Sequence, residues 1–163
     1  MTQVELMADV LNRNHEMLKG VLSDFSDSDF QARPCPGANH PAWQIGHLIN
    51  AETFMVSHFD AKAMPKLPDG FDKKFNKETS SKDDPAFFGS KQQLMDQFAK
   101  TRNATIAWVK TLKPADMDKP GPEPIRSFAP TLGHVVELLP NHVAMHLGQF
   151  QVARRKLGKP VMF

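Results

Sequence analysis

Apolar residues recur along the chain at spacings of three and four, which is typical of helices with one buried face. The pattern occupies four stretches, and clusters of proline separate them: 1–33, 42–64, 86–113 and 131–159. No segment alternates apolar and polar residues convincingly, so the sequence predicts no sheet. Four amphipathic helices bury their apolar faces against one another, and we therefore predict an all-α fold, a four-helix bundle.

The prolines help to place the helix boundaries, because proline inside a helix removes a hydrogen bond and clashes with the preceding turn. Pro41 suits the first turn of the second helix, and Ser90 is the predicted cap of the third. Pro140 interrupts the fourth stretch. We expect it to kink that helix half a turn before His142.

The connection between the second and third helices runs from about residue 61 to residue 89. It is long enough to cross a whole bundle, which would let those two helices run parallel. Its middle part, 66–84, is polar and charged, with Phe71 and Phe75 as its apolar anchors. A loosely packed surface loop and a lid over a site are equally compatible with this composition.

Length and charge limit the classes of function. The 163 residues fit a single domain, 1–163. Twenty basic and 18 acidic residues give a net charge of +2, and neither sign forms a block, so we expect no nucleic-acid partner. The longest apolar run, 106–109, is far shorter than the roughly 18 residues of a membrane span. Glu5 and Asp9 argue against a signal peptide, so we expect a cytoplasmic protein without a membrane partner.

Cys35 is the single cysteine of the chain. It therefore forms no intramolecular disulfide and no cysteine-rich metal site. Any metal ion must be bound by histidine or carboxylate groups.

Two histidines of the fourth helix, His142 and His146, are four residues apart and so lie about 40° apart on one helical face. On a helical wheel they share that face with Val135, Leu139 and Ala153, which places both imidazoles in the buried stripe. Burying imidazoles without partners is costly. They must either meet separate hydrogen-bond acceptors or share a metal ion.

His47 of the second helix also faces inward, on the side of Trp43, Ala51 and Phe54. Three core-facing histidines from two helices match a catalytic zinc-type site, which has three protein ligands and one open position. Separately hydrogen-bonded core histidines remain the alternative at this point.

The other histidines fit a metal site less well. His15 lies near the stripe of the first helix, as a boundary residue or a fourth ligand. His58 shares the face of His47 but lies about 16 Å along the helix from it. His134 is expected at the surface or at the mouth of the site, and His40 in the turn before the second helix.

Two other polar residues lie near the predicted ligands. Gln149 shares the face of His142 and His146 and could orient a ligand or simply pack between helices. Glu52 lies about 140° from His47 around the helix, so we expect it to point away from the metal, and the sequence offers no general base.

Three segments resemble the DinB-like family, also described as DinB/YfiT-like metalloenzymes: PAWQIGHL at 41–48, HVAMHLGQ at 142–149 and RRKLG at 154–158. The resemblance follows the chain in order from the first helix to Gly158. Leu147 departs from the pattern, because many relatives carry a polar residue there.

The resemblance implies a four-helix bundle of up-down-down-up topology, with a long crossover between helices 2 and 3. It also implies a divalent metal ion bound by His47, His142 and His146. Family members include S-transferases that use bacillithiol or mycothiol and a thiol-dependent maleylpyruvate isomerase. Zinc is the expected ion, with nickel, manganese and iron as alternatives, and a low-molecular-weight thiol is a candidate second cofactor.

On this basis we expect a divalent-metal-dependent enzyme, a thiol-dependent S-transferase or related hydrolase, with an open coordination position and a small-molecule substrate. The alternative is a non-catalytic metal-binding bundle or a stress-related interaction module. The oligomeric state is left open between a monomer and a homodimer.

Overall fold

A computed structural model describes residues 1–162, and these residues form helices and no β-strand. Short 3₁₀ turns at Lys77–Thr79, Pro114–Asp116 and Glu123–Ile125 supplement the α-helices. The α-helices in chain order are α1 Gln3–Leu22, α2 Asp27–Phe30, α3 Pro41–Phe59, α4 Phe71–Lys74, α5 Pro85–Phe88, α6 Lys91–Val109 and α7 Leu132–Lys156. The all-α fold class is confirmed.

Of the four long helices, α1, α3, α6 and α7, the first three begin at a residue whose side chain caps the helix. His40 caps α3, because its Nδ1 accepts a hydrogen bond from the backbone N–H of Trp43, and Pro41 occupies the first turn. Ser90 caps α6 in a reciprocal pair with Gln93, as the sequence predicts. The helix α7 continues through Pro140.

The first predicted stretch, 1–33, differs from the structure. The helix α1 ends at Leu22, and α2 begins separately after Ser26, which caps it. Phe25 and Phe30 nevertheless bury their rings in the core, at 3% and 1% exposure. The apolar pattern therefore continues beyond the end of the helix.

The long helices pack pairwise, α1 and α3 each against both α6 and α7. Most of the interior is apolar, but ten polar or charged side chains are buried in it: His15, His40, Gln44, Glu52, Thr101, Arg102, Thr105, His146, Gln151 and Arg154. Several of them lie near the middle of the long helices, where buried polar groups need a structural or chemical explanation.

The crossover between α3 and α6, residues 60–90, packs against α3. Phe71, Phe75 and Phe88 insert their rings into the same apolar cluster as Trp43. Arg33 holds the far part of the crossover, donating hydrogen bonds to a carboxylate oxygen of Asp83 and to the carbonyl of Ser80. Within residues 1–162, the helices are all too short or too polar to cross a membrane.

Candidate metal centre

The three histidines predicted as ligands lie together between α3 and α7. The Nε2 atom of His142 lies 3.2 Å from Nε2 of His47 and 3.3 Å from Nε2 of His146. One ring nitrogen from each residue lies within 4.8 Å of the other two. Three imidazole nitrogens thus converge on one point, a donor set that could hold a divalent metal ion.

Helix geometry explains this convergence. His142 and His146 lie one turn apart on α7, so their rings project from the same face. His47 comes from the middle of the neighbouring helix α3, and its ring meets that of His142 edge to face, with centroids 5.0 Å apart. His146 is buried, whereas His47 and His142 are each partly exposed. The cluster therefore faces the solvent on one side.

Gln44 sets the orientation of the His146 ring. Its Oε1 accepts a hydrogen bond from Nδ1 of His146 at 2.7 Å, while its Nε2 donates one to the carbonyl of Asn39 at 2.7 Å. The second bond fixes which end of the amide is the acceptor. His146 therefore carries its proton on Nδ1 and presents an unprotonated Nε2 to the cluster.

Trp43 packs against His47, the second predicted ligand. The indole lies face to face with the His47 imidazole, with centroids 5.0 Å apart and the rings within 6° of parallel. The indole N–H in turn donates hydrogen bonds to the carbonyl of Asn76 at 3.1 Å and to the hydroxyl of Thr79 at 3.2 Å. The crossover thus holds the residue against which His47 packs.

Burial keeps all three histidines neutral. It lowers the pKa of His47, and burial followed by the neighbouring His47 lowers the pKa of His142 to about 4. Burial, followed by His142 and His47, lowers the pKa of His146 to about 3. Because only a neutral imidazole binds a metal ion, the cluster is in the protonation state that binding requires at neutral pH.

The other histidines lie apart from this cluster, the only such group of histidine, cysteine or carboxylate side chains within residues 1–162. His15 is buried with its ring edge-on to Phe98. His134 is exposed and hydrogen-bonds to Thr131, and His58 is exposed near the end of α3.

Glu52 is not part of the cluster. It accepts a hydrogen bond from Arg102 at 2.7 Å in an ion pair whose side chains are 3% and 0% exposed. The guanidinium also lies over the ring of Phe98, 5.4 Å from its centroid. The acidic side chain nearest in sequence to His47 is therefore already engaged with Arg102.

Sequence reasoning missed Gln44. The helical wheel favoured Gln149, which is exposed in the structure, whereas Gln44 is 1% exposed and bonds His146 across the helix interface. Its place three residues before His47, on the ligand-bearing helix, was the available signal.

Long packed helices and three converging imidazoles define a class, the helical proteins with a potential three-histidine metal site. A family model described as the DinB superfamily matches residues 11–150, and the chain belongs to that superfamily. A crystal structure of a conserved protein from Enterococcus faecalis has a similar fold, with a TM-score of 0.70, 18% identity, and coverage of 98% of this chain and 99% of that one. No curated protein matches the sequence.

Proposed function

We propose that this protein is a divalent-metal-dependent enzyme, a thiol-dependent S-transferase or related hydrolase that acts on a small molecule. The observation that carries the proposal is the convergence of the ring nitrogens of His47, His142 and His146 within 4.8 Å of one another. Membership of the DinB superfamily is compatible with it.

The donor set fits a metal ion better than it fits hydrogen bonding alone. The Nε2 atom of His142 has two close nitrogen neighbours. A neutral imidazole carries one proton, on one of its two ring nitrogens, so Nε2 of His142 cannot donate a hydrogen bond to both neighbours. Nε2 of His146 is unprotonated because its proton lies on Nδ1, toward Gln44. A cation between the three rings would satisfy every one of these lone pairs.

Three neutral nitrogen ligands favour zinc, with nickel, iron and manganese as the alternatives. Three protein ligands match the number found in catalytic rather than structural zinc sites, and they leave a coordination position open. His15, the candidate fourth ligand, lies against Phe98 instead.

A bound divalent ion would supply Lewis acidity, which lowers the pKa of a thiol or a water molecule. The chain's own residues would do the rest. Gln44 holds the proton of His146 away from the cluster, Trp43 fixes the plane of the His47 ring, and the exposed side of His47 and His142 leaves access for a small molecule.

A four-helix bundle of up-down-down-up order in a single domain, 1–163, is the architecture we propose around this site. Contacts of Gln44 with His146 and of His47 with His142 support opposite directions for α3 and α7. Contacts at both ends, His40 with Phe88 and Phe59 with Trp108, support parallel α3 and α6.

The helix α1 completes this order. The Lys91 ammonium donates to the carbonyl of Ser23, and His15 meets Phe98, which supports opposite directions for α1 and α6. Arg154 donates to the carbonyl of Val21 near the ends of α7 and α1, which supports parallel directions for that pair.

A non-catalytic metal-binding bundle is the second candidate. It is favoured by the ion pair of Glu52 with Arg102, because the acidic side chain nearest in sequence to His47 is then not free to act as a general base. The two candidates differ in their chemistry and agree on the metal.

The experiment uses protein purified without a histidine tag. Elemental analysis should give one divalent ion per chain. The loaded protein should conjugate a small thiol to an electrophile faster than either the chelator-treated protein or His142→Ala. One bound ion without turnover across several thiols and electrophiles would favour the non-catalytic bundle, and absence of a bound ion would refute both candidates.

A further inference from the structure

Residues 71–79 of the crossover, here named the docking segment, lie against the part of α3 that carries His47. They contact α3 on both sides of this histidine, at Trp43, Gly46 and Asn50. The contact at Gly46 is steric, and the other two are hydrogen bonds. The segment and the candidate ligand therefore share neighbours.

The contact at Gly46 is steric. A Cβ atom at this position would overlap the ring of Phe75, so the ring lies directly on the α3 backbone. Phe75 is 2% exposed, and its ring packs against Phe71 and Phe88 with centroids 4.7 and 5.6 Å away. Gly46, the residue before His47, therefore leaves the space that the Phe75 ring of the docking segment occupies.

The contacts at Trp43 and Asn50 are polar. The Trp43 indole donates to the Asn76 carbonyl and the Thr79 hydroxyl. The Asn50 amide donates, with longer bonds, to the carbonyls of Phe71 at 3.4 Å and Asp72 at 3.3 Å. These bonds attach the two ends of the docking segment to α3.

We propose that the docking segment positions the metal centre by holding the Trp43 indole flat against the His47 imidazole. Trp43 and Phe75 are positioning residues in this scheme, because they act through His47. The inference rests on the proposed metal centre and adds to it a dependence on the crossover. In this proposal the crossover is neither a lid nor a loosely packed surface loop, the two alternatives that its composition left open, but a structural support for the metal centre.

The physical reason lies in the freedom of the His47 ring. His146 is held by the Gln44 hydrogen bond, whereas the contact that fixes the plane of the His47 ring is the stacked indole. If Trp43 moves, the ring can turn and its Nε2 no longer points at His142. Loss of an outer contact that orients a ligand commonly weakens metal affinity by about 10- to 100-fold.

Gly46→Ala is the most direct test, because it adds one methyl group beneath Phe75 and changes no other side chain. Alanine favours a helix more than glycine does, so α3 should form and the Phe75 ring should be displaced. We expect the affinity for Co²⁺, measured by absorption titration of tag-free protein, to fall at least tenfold. The helical circular dichroism signal should remain.

Removing the Phe75 ring supplies the second half of a double-mutant cycle. Phe75→Ala should itself weaken Co²⁺ binding, and Gly46→Ala/Phe75→Ala should bind no more weakly than Phe75→Ala, because the new methyl group then meets no ring. Fully additive losses would mean that alanine acts through the α3 backbone and would overturn the proposal.

Phe87→Ala is the matched control. Phe87 belongs to the same crossover, and its ring contacts Phe88 and the ammonium group of Lys82. It meets the docking segment through the more distant ammonium group of Lys74, 5.5 Å from the ring centroid, and it does not touch α3 at Gly46. This variant loses an aromatic ring of the same size, and we expect Co²⁺ affinity equal to that of the unaltered protein. A loss matching that of Phe75→Ala would indicate general destabilisation and would overturn the proposal.

Trp43→Phe tests the polar contact without crowding the core. It keeps an aromatic face for His47 but loses the N–H that binds Asn76 and Thr79. We expect a severalfold weaker Co²⁺ affinity and faster amide hydrogen exchange at residues 76–79. If the single variants Trp43→Phe and Gly46→Ala both bind Co²⁺ as tightly as the unaltered protein, the positioning role is refuted.

Fluorescence gives a readout that needs no metal. Trp43 is the only tryptophan left in a Trp108→Phe background, and it is 6% exposed when docked. In that background Gly46→Ala should shift its emission to longer wavelength, whereas Phe87→Ala should not. Absence of the red shift would show that the segment does not hold Trp43.

The failures of the two proposals are distinguishable. If the unaltered protein binds no divalent ion, the metal centre itself is refuted, and the positioning role falls with it. If the unaltered protein binds Co²⁺ and Gly46→Ala binds equally well, only the positioning role is refuted. A positive result has a reciprocal consequence, because bound metal must then slow hydrogen exchange in residues 71–79 by linkage.

Discussion

Two clusters of polar side chains between the helices differ in whether the chain itself supplies their chemical partner. Glu52 and Arg102 carry opposite charges and lie 2.7 Å apart, so each charge has a partner of the opposite sign within the chain. His47, His142 and His146 are chemically identical bases that bring lone pairs to one point, with no acidic partner in their cluster. Burial alone therefore does not indicate a functional site. The informative feature is a cluster of polar side chains, here three imidazoles, for which the chain supplies no partner of opposite charge.

The largest expected effect tests that contrast directly. His142→Ala removes the nitrogen that lies close to both of the others, and we expect it to abolish stoichiometric metal binding. The measurement is equilibrium dialysis followed by elemental analysis. His58→Ala is the control, since His58 is exposed near the end of α3, and it should retain one ion per chain. Full occupancy in His142→Ala would refute the ligand assignment.

The ion pair should show the reverse pattern. Glu52→Ala leaves the Arg102 charge buried without a partner, which costs about 3–5 kcal/mol in the free energy of unfolding. Metal stoichiometry should not change. Urea denaturation with and without Zn²⁺ measures both quantities. As a control, Glu16→Ala removes an exposed pair with Lys19 and should cost about 0–1 kcal/mol. If the Glu52→Ala protein folds but no longer binds the metal ion, metal binding depends on the ion pair and the contrast between the two clusters is wrong.

A pH effect should distinguish the clusters further. The pKa of His142 is about 4 and that of His146 about 3 in the folded protein, whereas an unfolded histidine titrates near 6.5. Between these values the unfolded chain binds more protons, so the free energy of unfolding of the metal-free protein should fall as the pH drops from 7 toward 4.

Urea denaturation at pH 7, 6 and 5 checks this slope, since most carboxylates titrate below that range. The double variant His142→Ala/His146→Ala is the control and should show a flatter dependence. An equal slope in both proteins would contradict the depressed pKa values.

The smallest expected effect concerns orientation within the histidine cluster. Gln44→Ala removes the acceptor for the Nδ1 proton of His146, and we expect metal affinity to fall about 10- to 100-fold. Gln149→Ala removes an exposed glutamine near the same ligands and should leave affinity unchanged. Competition with a chelating dye measures both variants, and the reverse ranking would restore Gln149 as the orienting residue.

The inward orientation of His47, His142 and His146 could be predicted from the apolar periodicity, because the buried face of each helix is visible in the sequence of that helix alone. The choice between Gln44 and Gln149 could not be predicted in that way, since a helical wheel describes one helix and Gln44 reaches His146 from another. The same limit explains the docking of Phe75 at Gly46, which depends on a contact between segments that are far apart in the chain.

Helix boundaries were predictable where caps are local. Pro41 and Ser90 mark helix starts in the sequence and in the structure. The end of α1 at Leu22 was not predicted, because Phe25 and Phe30 continue the apolar pattern while belonging to the turn and the short helix that follow. The hydrophobic pattern shows which residues are buried, but it does not show where a helix ends, because buried residues can belong to a turn or to a separate short helix.

The position of the crossover between the ligands has a consequence for chain connectivity. His47 precedes the crossover, and His142 follows it, 95 residues after His47. An ion bound to both would be a reversible cross-link that closes a long loop and removes conformational entropy from the unfolded chain. A chain cut within the crossover would carry one ligand on the first fragment and two on the second. Reassembly of such a split protein would then follow the concentration of free metal.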